Sequence, residues 1–499
     1  MASEPRPRKL STNVLANLIT VGATVPGGII SVPLIVGHLG LTGYGLWTVA
    51  LTGLAYVTTV EAGVGPAIQR FTAVAGSTDD LMVARMLWST LAAYGLGGVL
   101  LVAVMLPLAP VLVGIFQVHG SLRPDATAMF RIAGVAGLLT LVAAALANVQ
   151  QGLERYVQYS VAGASGAVVY LVAVIAVILA GAGLPGLAWA AVAQQAVMLL
   201  FRGWSLRGML LSAPRFATRE DVRAVGGFAL RVQVSSGSML VNQQTDKVVV
   251  GVIAPGSTLG QLGIGTQLAE AGRVVGTAAL APIVNRLAAL HAGANSDQLT
   301  RTFRGLHELW ALVVIGGTVL GAASLYPMIG AWMGPGHHKA AELGVFLVLG
   351  YGFNLLTGTP VAYLRAVGRP NLEAQVGLLS IVVNVALTVV LGIAFGAVGV
   401  VVATMCGLIG ATIWFFSRLA ANDVPPVSMV RLSALCAALA CGALSFGWGV
   451  LMVHLLGRWG ALAPVLAGLA ICFVLFLSLA LGGVPTRARV SAVVSPLGS

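Results

Sequence analysis

Fourteen apolar runs, each about 20 residues or longer, constrain this chain more than any other feature. They lie near 11–36, 44–66, 85–116, 127–149, 157–181, 185–206, 224–253, 259–282, 303–330, 341–364, 372–395, 397–419, 430–456 and 460–482. A run of that length matches the hydrocarbon thickness of a bilayer, and only a helix can satisfy its own backbone there. The expected fold is therefore an all-α polytopic membrane protein of about 14 transmembrane helices. Composition agrees. Of 499 residues, 58% are hydrophobic and 8% charged, and mean hydropathy is +0.96. A soluble domain carries roughly 25% charged residues, so soluble-enzyme, disordered and fibrous classes are excluded. The 64 glycines suit close helix packing in lipid.

The net charge of +12 would suggest nucleic acid in a soluble protein. Here the basic residues map onto loops of one side. With the N-terminus inside, twenty of the 27 Lys and Arg fall in inner segments, and four (Arg123, Arg131, Lys339 and Arg458) in outer ones. This asymmetry predicts a plasma (inner) membrane protein with both termini cytoplasmic and no nucleic-acid partner. The expected organisation is a tail over 1–10, a six-helix bundle over 11–206 and a basic linker over 207–223. A second six-helix bundle over 224–419, helices 13–14 over 430–482 and a tail over 483–499 complete it.

The bundles read as a parallel repeat. Gly65-Pro66-Ala67-Ile68-Gln69-Arg70 at the end of span 2 corresponds to Ala281-Pro282-Ile283-Val284-Asn285-Arg286 at the end of span 8. Gly183-Leu184-Pro185-Gly186 and Gly396-Ala397-Val398-Gly399 correspond in the same way. An even number of intervening spans gives both halves one orientation. Spans 13 and 14 have no counterpart and read as an appendage.

Two spans carry matching polar stripes. Asn13, Asn17, Thr20 and Thr24 share one face of span 1, and Arg231, Ser235, Ser238 and Asn242 one face of span 7. Such stripes either glue helices together or line a hydrated cavity. Buried charge favours the cavity. The intramembrane charges are Glu61 on span 2, Arg231, Asp246 and Lys247 on span 7, and Glu270 and Arg273 on span 8. Glu270 and Arg273 are spaced to pair within one helix. The plainer reading is a set of ion pairs locking the bundles, with Lys247 snorkelling to the outer interface. Arg70 and Arg286 sit at the inner ends of spans 2 and 8, where they either attract an anionic substrate or anchor the helices.

Other residues point to no chemistry. Cys406, Cys436, Cys441 and Cys472 lie in apolar runs, so neither a disulfide framework nor a metal site is expected. His337 and His338 read as a solvated outer turn, and Glu220 and Asp221 as solvated loop residues. Phosphate-loop, zinc and nucleophile-elbow motifs are absent from the sequence. The expectation is a protein that is not an enzyme and uses no cofactor.

The segment Leu39-Gly40-Leu41-Thr42-Gly43-Tyr44-Gly45-Leu46-Trp47, then Glu61-Ala62-Gly63-Val64-Gly65 and Gln69-Arg70-Phe71, resembles the opening of the polysaccharide lipid flippases. These belong to the multidrug/oligosaccharidyl-lipid/polysaccharide (MOP) exporter superfamily. Arg365-Ala366-Val367-Gly368-Arg369, Asn384 and Phe395-Gly396-Ala397-Val398-Gly399 are similar to that family's second half. The resemblance covers 11–420. It implies two six-helix bundles forming a V-shaped cleft lined by spans 1, 2, 7 and 8, and alternating access. The implied function is translocation of a polyprenyl-diphosphate-linked oligosaccharide from inner to outer leaflet for cell-surface polysaccharide biosynthesis. The substrate-binding candidates are Arg231, Arg273, Asn17, Asn242, Arg70 and Arg286. Coupling or ion-pair candidates are Glu61, Asp246, Lys247 and Glu270. Implied partners are the lipid-linked glycan, membrane lipid, H+ or Na+, and glycan polymerase and glycosyltransferases. Such clefts are often net basic, whereas the buried set here is balanced. A cation-coupled multidrug exporter and a lipid II flippase of the same superfamily are the alternatives. The exporter reading is weakened because span 1 holds no Asp or Glu.

Overall fold

A computed structural model describes residues 10–75, 80–292, 296–369, 371–427 and 431–481. Helix dominates, and no strand occurs among the described residues. In chain order the helices are α1 (Leu10–Ala75), α2 (Asp80–Ile115), α3 (Leu122–Gly152), α4 (Tyr156–Ala180), α5 (Gly183–Ser205), α6 (Arg207–Leu210), α7 (Arg219–Ile253) and α8 (Gly256–Ala278). They continue as α9 (Leu280–Ala292), α10 (Ser296–Met333), α11 (His338–Leu355), α12 (Gly358–Ala366), α13 (Asn371–Arg418), α14 (Leu432–Gly460) and α15 (Leu462–Ala480). Ten helical stretches among the described residues are long and apolar enough to cross a membrane. The polar helices α7 and α8 are not among them. The protein is an all-α membrane protein.

The turns are tighter than the hydropathy pattern suggests. The expected connection over 37–43 reduces to one non-helical residue inside α1, Gly40, at φ 70 and ψ 175. Only glycine adopts that conformation without a steric penalty. Gly396 breaks α13 in the same way. Helix α7 starts at Arg219, earlier than the apolar run beginning at 224. The reason is local: the Thr218 hydroxyl accepts from the Asp221 amide (3.2 Å), and the Asp221 carboxylate accepts from the Thr218 amide (2.9 Å). This capping box satisfies two orphan donors. Asp221 also stands 3.9 Å from Arg85, which corrects its reading as a solvated loop residue.

The chain forms two compact units, divided between Gly260 and Gln261. In the first unit, α1 packs against α3, α4 and α7, α2 against α3, and α5 against α3 and α4. Ile68, Val83, Met86, Leu87, Leu146, Val149 and Leu206 close one end as a buried cluster. In the second unit, α10 is central and contacts α11, α14 and α15. The last two helices pack on α10. Ser324 and Ser445 hydroxyls meet at 2.7 Å, and Phe476 packs over Gly316.

With lipid outside, burial of apolar surface drives helix association little, and close backbone packing must do it. The approach of α1 to the start of α8 shows this. A Cβ on Gly45 would lie 2.4 Å from the Gly256 carbonyl oxygen, and one on Gly260 2.2 Å from that of Leu41. Both obstacles are backbone. Gly45→Val and Gly260→Val are each expected to cost about 1–3 kcal/mol or more through overpacking. The readout is a lower melting temperature in detergent and reduced membrane abundance, while Gly53→Ala, at an open position, leaves both unchanged.

Candidate functional site

The first unit holds a buried polar network. On the second half of α1, Glu61, Gly65 and Gln69 recur every four residues and therefore share a face. Asn148 of α3 meets that face. Its Nδ2 donates to Glu61 Oε1 at 3.0 Å, and its Oδ1 accepts from Gln69 Nε2 at 2.9 Å. Both functions of one amide are thus used across two helices. Gly65 makes room, since a Cβ there would lie 3.1 Å from Asn148 Nδ2, Asn148 Oδ1 and Glu61 Oε1.

Arg202 of α5 supplies the opposite charge. It is 5% exposed, donates from Nη1 to the Ala143 carbonyl at 2.9 Å and lies 5.4 Å from the Tyr159 ring centroid. Its charge attracts that of Glu61. The sequence places Arg202 among the loop charges at the inner ends; the structure buries it. A buried ion costs several kcal/mol unless hydrogen bonds and counter-charge offset the loss of water. Arg202 has the Ala143 carbonyl and the Tyr159 ring for this, and Glu61 has the Asn148 amide. Alongside, Gln150 Nε2 donates to Ser205 Oγ at 2.5 Å.

A second cluster joins α1 to α7. Gln244 Oε1 accepts from Thr52 Oγ1 and from Lys247 Nζ, each at 3.3 Å. Lys247 thus reaches back along its own helix. Asp246 is 5% exposed. Arg70 is exposed near the end of α1.

In the second unit, Arg273 of α8 is half-buried, with its guanidinium 5.4 Å from the ring centroid of Tyr351 on α11. This is a cation–π distance. Glu270 precedes Arg273 by three residues on the same helix and is also half-buried. Arg286 is half-buried on α9. A buried pair missed in the sequence lies nearby in chain order: His307 Nδ1 and Thr359 Oγ1 are 2.7 Å apart.

The side chains of Asn17, Arg231 and Asn242 lie outside what is described. Of the rest, the structure connects Glu61 to Asn148 and Gln69, Lys247 to Gln244, and Arg273 to Tyr351. Sequence reading overlooked Asn148, although it is a lone amide in the apolar run 127–149. No group of three metal-ligating side chains occurs among the described residues.

Comparison with known proteins places these observations. The family described as "Polysaccharide biosynthesis protein" matches residues 10–286. No curated protein sequence matches significantly. Solved structures share the fold. One is the lipid II flippase MurJ in an inward closed conformation, with TM-score 0.70 and 13% identity over 93% of this chain and 98% of that one. Another is an inward-facing multidrug resistance MATE family transporter of the MOP superfamily, with TM-score 0.66 and 16% identity over 81% and 98%. A third is a MOP superfamily transporter from Pyrococcus furiosus, described as having a binding pocket of reverse polarity. Its TM-score is 0.59 at 16% identity over 82% and 95%. These identities speak to the fold alone.

Proposed function

The chain belongs to the polysaccharide biosynthesis protein family of the MOP superfamily, and we propose that it moves a polyprenyl-diphosphate-linked oligosaccharide from the inner to the outer leaflet. One observation carries this reading. The family match over 10–286 contains every polar residue singled out for substrate or coupling: Asn17, Glu61, Arg70, Arg231, Asn242, Asp246, Lys247, Glu270, Arg273 and Arg286. Moving a sugar head group through hydrocarbon requires a polar path, and these residues supply donors and charge on helices α1, α7, α8 and α9. In this proposal Arg231 and Arg273 hold the diphosphate, because a guanidinium bonds two phosphate oxygens at once. Glu61 exchanges a coupling ion as the path opens alternately to each side. The transporter crosses the membrane fourteen times with both termini cytoplasmic.

The test is reconstitution. Vesicles carrying the protein should speed the crossing of a short-chain polyprenyl-diphosphate oligosaccharide and leave a cationic dye unaffected. Dye transport without glycolipid transport would overturn the proposal in favour of a multidrug exporter. Preference for a peptide-bearing lipid II over the oligosaccharide would favour a lipid II flippase, whose solved structure has the highest TM-score of the three described above.

A second expectation concerns Arg70 and Arg286, which end matching sequence segments. If they draw the anionic head group to the inner mouth, replacing both with Gln lowers transport at normal membrane abundance and removes most of its salt dependence. Unchanged transport at equal protein levels would reduce both to interfacial anchors.

A further inference from the structure

The network and the charged helices leave unexplained a cavity of about 540 Å³ where α4, α5 and α6 meet. Arg155, Gln158, Val161, Phe201, Trp204 and Arg207 form its walls. The chain turns sharply here: α5 ends at Ser205, Leu206 is buried, and the four-residue α6 carries Arg207 back over the end of α5. Two guanidinium groups therefore stand at one mouth, and no carboxylate lines it. Both are held in place. Arg155 Nη1 donates to the Ser205 carbonyl at 2.7 Å, and Arg207 lies 4.3 Å from the Trp204 ring centroid.

The remaining wall is apolar and open. Trp204 is 70% exposed, and Val161 and Phe201 are each 47% exposed. Val168 and Val172 extend this exposed strip along α4. On a membrane protein such a strip faces acyl chains, and a Trp at its end belongs at the head-group level.

From this juxtaposition of paired guanidiniums and a lipid-facing groove, we propose that the α4–α5–α6 cavity binds the head group of an anionic phospholipid. The phosphate sits between Arg155 and Arg207, where planar donors bond its oxygens. The acyl chains follow Val161, Val168 and Val172. Basic pockets between membrane helices hold anionic head groups in this way. A zwitterionic choline lipid fits worse, because its ammonium group meets two cations and no acceptor charge. A soluble phosphate lacks the chains that occupy the groove.

The test uses the full-length chain in detergent, supplied with equimolar phosphatidylglycerol and phosphatidylcholine, with bound lipid read by native mass spectrometry. Phosphatidylglycerol is expected to be retained at least about fivefold over phosphatidylcholine. Arg207→Glu should abolish that preference, and Trp204→Ala should weaken it by releasing the guanidinium. Both side chains are exposed, so neither change threatens folding. Glycerol phosphate at millimolar concentration should displace nothing; displacement would assign the cavity to a free phosphate and overturn the lipid proposal. Equal retention of the two lipids by the unaltered protein, or unchanged preference in both variants, would overturn it as well.

Discussion

Arg273→Ala is expected to lower glycolipid transport by roughly 10- to 100-fold at normal membrane abundance, while Arg273→Lys keeps part of the activity. The magnitude follows from losing one or two charge-assisted hydrogen bonds to diphosphate, each worth about 1.5–3 kcal/mol. Lysine keeps the charge and its attraction to the Tyr351 ring, but not the planar fork. The ring itself should matter. The guanidinium lies 5.4 Å from its centroid, so Tyr351→Phe should be nearly silent and Tyr351→Leu should loosen the arginine. A purely structural role for Arg273 predicts a different pattern. Its removal would then leave Glu270 with an uncompensated charge, lower abundance, and be rescued by adding Glu270→Ala. Normal transport by that double variant would sink the substrate-contact role.

Why the charges were legible in the sequence while their partners were not has a physical cause. A charge in a run such as 44–66 stands out because hydrocarbon penalises it, so Glu61, Asp246 and Arg273 announce themselves. The family likewise declares itself through Gly40, Gly45 and Gly65, which stand in one stretch of sequence: Gly40 turns the chain at φ 70, while the distant neighbours that Gly45 and Gly65 admit are not written there. What stayed hidden is the long-range pairing. Asn148 is 87 positions from Glu61, and one amide within the apolar run 127–149 has no periodicity to mark it. Arg202 looked like an interfacial cation because it lies three residues before the end of α5. Only the packing of α5 on α3 shows its donor turned inward to the Ala143 carbonyl. Helix starts were missed for the opposite reason. Polar caps such as Thr218 and Asp221 extend a helix beyond its apolar run, and hydropathy does not register them.

The second large effect is expected at Asn148. Leucine has a similar volume but neither donates to Glu61 Oε1 nor accepts from Gln69 Nε2, bonds of 3.0 and 2.9 Å in the native network. Each stranded group inside the bundle costs about 1–3 kcal/mol. Asn148→Leu is therefore expected to destabilise the protein by roughly 2–6 kcal/mol and to cut membrane abundance severalfold. Combining it with Glu61→Leu removes the stranded carboxylate and should restore part of the abundance, a coupling that separate, independent sites would not show. Gly65→Ala should mimic the loss, because its Cβ would press on three polar atoms of the network at 3.1 Å. Glu61→Gln separates stability from function. An amide oxygen at 61 still accepts from Asn148, so abundance should hold, while exchange of a coupling proton or sodium ion becomes impossible. Transport should then stop in a protein that is present and folded. If Glu61→Gln transports at the normal rate, the network is scaffolding and the coupling role passes to another acid, with Asp246 and Glu270 next to be replaced.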